Sequence, residues 1–132
     1  MTIHRGLLLC LPGLVIPSAD SAPLAYACTV KRVYDVDDTG SLRSSAWEPT
    51  MSQSTFSISR QTGKIVGQVL PTLLADSTRV LNVGGGEHSF KAIADFKGQV
   101  QVIEVEEFRN GEAKPFVAMS MGGAGIVTGT CL

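Results

Sequence analysis

The chain has 132 residues with 44% hydrophobic and 17% charged side chains, and its formal net charge is −1 at neutral pH. A balance this even leaves no basic footprint for nucleic acid or an anionic membrane, and the length suits one core rather than two. Three cysteines, two histidines and a single tryptophan bound the chemistry further.

The N-terminus reads as a secretory leader. Arg5 precedes the apolar run Leu7–Ile16, which is followed by the small-residue stretch Pro17–Ala27. A bilayer span needs about 20 apolar residues, and Pro12 with Gly13 would break a helix inside this run, so the segment is not an anchor. Ala25-Tyr26-Ala27 offers small residues at −3 and −1, which places cleavage after Ala27. A cut after Ala22 would put Asp20 at −3 and Pro23 just beyond it. The expected organisation is a leader over residues 1–27 and one domain over residues 28–132, exported to the periplasm or the extracellular space. The cut removes Arg5 and Asp20 and leaves the charge at −1.

Cys10 departs with the leader, leaving Cys28 and Cys131. An even pair in an exported chain reads as a disulfide joining the two ends of the domain. A lipid anchor at Cys28 is the weaker alternative, because Leu24 stands one place too far out for a lipoprotein signal. A reactive thiol is weaker still while Cys131 offers a partner.

Period-two alternation predicts a half-buried strand over Ala27–Asp37, with Cys28, Val30, Tyr34 and Val36 on one face and Arg32 as the exception. Asp37-Asp38-Thr39-Gly40 ends it as a turn. Ser41–Gln53 is polar and irregular, with Trp47 expected to fold it back onto the body. Phe56 and Ile58 alternate with polar neighbours, and Gln61-Thr62-Gly63-Lys64 turns the chain into Ile65–Leu70, a hairpin pattern. Pro71 ends that run, and Leu73–Asp76 forms a helical turn or a loop.

Thr78–Val83, Ser89–Phe96, Gln99–Phe108, Lys114–Met121 and Gly125–Leu132 are strand-like, separated by GGGEH, KG, RNGEA and GGA. Within Gln99–Phe108 the apolar face switches from Val100 and Val102 to Ile103 and Val105, as a bulge near Val102 or burial of both faces would produce. No sustained 3.6 period appears. The fold expected is all-β, a small antiparallel barrel or sandwich of seven to eight strands, with the first strand beside the last.

The residues offer little catalytic chemistry. With His88 the one histidine left after cleavage, no two-histidine zinc site can be built, and GGGEHSF lacks the elbow that presents a hydrolase serine. Glu104 and Glu106 lie about 6.6 Å apart along one strand face, a spacing that suits a solvated edge better than a sugar cleft. The glycine runs lack the following helix of a phosphate cradle. A non-enzymatic domain without cofactor or metal is expected, binding a protein, glycan or small ligand. Candidate contact residues are Arg60, Thr62, Gly63 and Lys64 on the hairpin tip, with Trp47 and His88 on other loops.

YACTVKRV, TFSISRQTGKIVG, EVEEFRNGEAKPF and the terminal GTC resemble small exported Gram-negative proteins of unknown function. This resemblance implies export, a compact β domain and linked ends. A looser similarity, an early cysteine after an aromatic and another near the C-terminus, is to bacterial inhibitors of c-type lysozyme. Their Ser-Gly-x-Lys-Tyr loop is matched here only by Thr62-Gly63-Lys64-Ile65, without the serine and the tyrosine. Lysozyme inhibition and a structural role in an envelope assembly are the alternatives.

Overall fold

A computed structural model describes residues 23–67, 77–121 and 125–132. Most of the expected leader, the end of the run Ile65–Leu70, Pro71 and the Leu73–Asp76 segment lie outside the described residues.

Elements in chain order are β1 (Ala25–Val36), β2 (Leu42–Ser44), the one-turn helix α1 (Glu48–Met51), β3 (Thr55–Ser59), β4 (Ile65–Gly67), β5 (Ser77–Gly85), β6 (His88–Phe96), β7 (Gln99–Val105), β8 (Lys114–Met121) and β9 (Ile126–Cys131). All strand pairs are antiparallel in one sheet, ordered β4-β3-β1-β9-β8-β7-β6-β5, with short β2 attached to the far end of β1. The sheet curls into a half-barrel around one core, so the all-β expectation holds and the sandwich alternative does not.

Within the sheet the first and last strands pair side by side. Cys28 stands opposite Cys131 and the two are disulfide-bonded. Ala27 and Leu132 exchange both backbone hydrogen bonds, at 3.0 and 2.8 Å. The cysteines therefore occupy the neighbouring narrow site of the ladder, where side chains approach most closely.

β1 begins at Ala25, ahead of the boundary expected at Cys28. Ala25, Tyr26 and Ala27 pair with Ser59, Ile58 and Ser57 of β3, and Tyr26 is only 3% exposed. Farther along, the register against β9 shifts between Val30 and Arg32. One extra residue there reverses the alternation. Tyr26, Cys28 and Val30 face inward before the bulge and Val33 after it, all four buried. Arg32 is thus no exception on an apolar face: the phase changes beneath it and turns it to solvent. A second bulge interrupts β5 between Val80 and Asn82.

The bulge anticipated near Val102 is absent. β7 keeps an unbroken register with both neighbours, and its inward face is Gln101, Ile103 and Val105. Gln101 buries a polar side chain, and its amide nitrogen has no partner among the described residues. The interior around it is thinly filled by Gly63, Ala92, Ala94 and Ala118, leaving a cavity of about 10 Å³, roughly the room of one water.

Aromatic residues fill the opposite end of the interior. Phe56 meets Phe116 edge-on with centroids 5.2 Å apart, and Tyr26 lies 5.1 Å from Phe90. Burying each large apolar side chain contributes about 1.5–3 kcal/mol, and Phe90, Ile58, Val30, Val33, Val105 and Val127 are fully buried. The β6–β7 hairpin turns on Lys97 and Gly98, both at positive φ, the tight geometry that matches strand twist.

Candidate functional site

Two constellations stand out, at opposite ends of β1. At its far end, the Asp37 carboxylate accepts hydrogen bonds from the Thr39 hydroxyl (2.6 Å) and from the amides of Thr39 (2.9 Å) and Ser41 (3.0 Å). These bonds, the hydroxyl's foremost, hold its pKa below the usual carboxylate range. The turn so fixed sets Val36 opposite Leu42. The chain then passes through buried Ser45 into α1, which has Pro in its first turn.

Glu48 anchors this segment. Its carboxylate accepts the Val33 N–H at 3.0 Å, beside the bulge, and both oxygens lie 3.1 Å from Arg32 Nε. The backbone bond, then Arg32, lowers its pKa. Met51 packs against the core. Trp47 does not do what its size suggests: it is 68% exposed, with Val36 at 60% and Leu42 at 58%. Glu48 and Met51 hold the segment down, while the indole stays in solvent on a pinned support.

At the near end, the Tyr26 hydroxyl donates to Glu107. Glu107 also pairs with Arg60 at 2.7 Å, and the Arg60 guanidinium lies 4.8 Å over the Tyr26 ring while reaching the Val83 carbonyl at 3.3 Å. Burial first, then the Glu107 carboxylate, pushes the Tyr26 hydroxyl well above the ordinary phenol range. Gly84, at φ +76°, leaves room for Glu107, since a Cβ there would strike the carboxylate. The cluster ties β1, the β3–β4 turn, β5 and the β7–β8 connection together, with side-chain exposures of 20% for Arg60 and 11% for Glu107.

The sequence candidates do not form one site. Arg60 is spent inside this cluster. Gly63 is buried on the barrel wall, where a Cβ would stand 3.1 Å from that of Ala92, and Thr78 Oγ1 donates to the Thr62 carbonyl at 2.9 Å. The hairpin tip therefore lies against β5 and β6, with only Thr62 and Lys64 of the four exposed. His88 is exposed at the start of β6, opposite Gly85, and Trp47 lies at the other end of β1. Glu104 pairs with Lys91 at 3.5 Å and Glu106 with Arg109 at 2.6 Å, so the two carboxylates face separate cations.

Tyr26 and Glu107 were not legible as a pair. The first sits inside the expected leader, and the second follows Glu106 in what reads as a solvated acidic edge. Among the described residues, no group of three or more His, Cys, Asp or Glu gathers to hold a metal ion. No protein-family model, curated protein or solved structure matches the chain.

Proposed function

We propose that the domain is an exported, non-enzymatic binding module, in keeping with the small exported Gram-negative proteins its sequence resembles. It holds a protein, glycan or small ligand at the end of the half-barrel that carries Trp47. One observation carries this reading: an indole 68% exposed, on a segment tied to β1 by Glu48 and accompanied at the same end by exposed Val36 and Leu42. Rigid scaffolds that present loop residues are where binding resides, and Trp leads the residue types that dominate binding energy. The Cys28–Cys131 disulfide supports an oxidising compartment. The lysozyme-inhibitor reading draws less support, because Gly63 in the Thr62–Lys64 turn is buried against Ala92 and the serine and tyrosine of the inhibitory loop are missing.

Trp47 is the only tryptophan, so its fluorescence reports directly on that end. Titration with envelope proteins and cell-wall glycan fragments is expected to shift its emission for the true ligand. Trp47→Ala should weaken binding of that ligand at least tenfold while changing stability by no more than about 0.5 kcal/mol, as for other exposed positions. Unchanged affinity in the variant would refute the assignment.

A further inference from the structure

We propose that the leader is cut between Ser21 and Ala22, so that Tyr26 stays in the mature protein and Cys28 is never its first residue. The proposal rests on the export reading above and changes where maturation takes place.

The folded domain uses the residues that a cut after Ala27 would discard. The Arg60 amide donates to the Leu24 carbonyl at 3.0 Å, and Ala27 exchanges both ladder bonds with Leu132. Three of the five β3 residues, Ser57, Ile58 and Ser59, pair with Ala27, Tyr26 and Ala25. Tyr26 itself is 3% exposed, its ring against Phe90 and under Arg60, its hydroxyl on Glu107. Removing it would leave the Arg60–Glu107 pair facing an empty place in the core. It would also set a charged α-ammonium at Cys28, which is 1% exposed and paired with both β3 and β9. Diacylglyceryl attachment is excluded on the same geometry, because the Cys28 sulfur is bonded to Cys131.

The sequence supplies a second site upstream that spares these residues. Ala19-Asp20-Ser21 places small residues at −3 and −1, five residues after the apolar run ends at Ile16, and Ala22 follows the cut. Cleavage is hydrolysis of the Ser21–Ala22 peptide bond by a signal peptidase: water is consumed, Ser21 keeps a carboxylate, and Ala22 gains the α-ammonium. The short lead Ala22-Pro23 then precedes Leu24, which is 87% exposed.

The test is to express the full chain in a Gram-negative host, fractionate the cells, and read the intact mass and N-terminal sequence of the product. The result expected is a periplasmic chain of residues 22–132, two hydrogens lighter for the disulfide. Ser21→Leu should stop maturation. Ala27→Leu should leave it unchanged, since Ala27 is exposed in the fold and is not at the cut. A product beginning at Cys28, lipidated or free, overturns the proposal while leaving export intact. A start elsewhere between Asp20 and Leu24 overturns the Ser21 assignment alone. A cytoplasmic product retaining Leu7–Ile16 overturns the export reading, and the cleavage site with it.

Discussion

Tyr26→Phe tests the near-end cluster most directly, because it removes one oxygen and leaves the ring against Phe90 and Arg60. A hydrogen bond to a charged partner contributes about 1.5–3 kcal/mol, and Glu107 would keep only Arg60. For a domain of about 100 residues, 1 kcal/mol corresponds to about 4 °C or more in Tm, so a fall of roughly 6–15 °C near pH 7 is expected. The alkaline limb gives a second readout. The folded-state pKa of Tyr26 is raised, so above the free phenol value, about 10, the unfolded chain releases this proton and the folded chain retains it. Stability is therefore complete below about pH 10 and falls as pH rises beyond it, at about 1.4 kcal/mol per pH unit for one proton. Tyr26→Phe lacks this proton in both states, so the gap between protein and variant should close as pH climbs from 9 to 12. Urea unfolding at each pH, followed by circular dichroism, measures it. Curves that stay parallel across that range would show that Tyr26 ionises as freely in the fold as in the unfolded chain, and the buried-cluster reasoning would fail.

Replacing Cys28 and Cys131 together by Ser opens a covalent link across a sequence separation of 103. It should lower stability by up to about 4.7 kcal/mol in the chain-entropy model, read as a shifted urea midpoint; a loss below about 1 kcal/mol would show that the β1–β9 ladder alone secures the ends. Gln101→Leu should stabilise the domain by about 1–2 kcal/mol by removing a buried amide without a partner, and a loss in thermal melting would show that the amide is satisfied. The Glu48 carboxylate has a lowered pKa, so its hold on the Val33 N–H is fully present above the usual carboxylate range and is lost only as pH falls below that range, through the lowered folded-state value. The protection factor at Val33, measured exchange set against the intrinsic rate at each pH, should fall as the pH drops below the usual carboxylate range, and in Glu48→Ala it should be low at neutral pH too. Equal protection in both proteins would remove Glu48 from its anchoring role.

Much of the architecture is legible in the sequence, because alternation and turn residues are local signals. Lys114–Met121 matches β8 residue for residue, the Lys97-Gly98 turn lies where it was expected, and the Cys28–Cys131 pairing was expected from the even pair that remains once Cys10 is assigned to the leader. What escaped depends on phase and on distant partners. The bulge after Val30 moves the inward positions by one, so a pattern read with fixed period two misplaces Arg32 and Val33. Gln101 looks like the polar half of an alternation whose apolar members, Val100 and Val102, in fact face outward. Trp47 illustrates a different limit: its apolar surface suggests burial, but Glu48 and Met51 already occupy the anchoring role. Arg60, Tyr26 and Glu107 stand far apart in the chain, and no local pattern announces that they meet.

Because the first strand lies between β3 and β9, its place in the sheet is filled on one side only when β9 arrives. During synthesis, β1 can pair with β2 and β3, yet it presents an unpaired edge until Ile126–Cys131 emerges. Such a wiring postpones completion of the sheet until β9 is made and favours slow, non-local folding over sequential assembly. It also makes the sulfur bridge a completion mark: oxidation of Cys28 with Cys131 records that β1 and β9, separated by the rest of the fold in sequence, have met in the sheet.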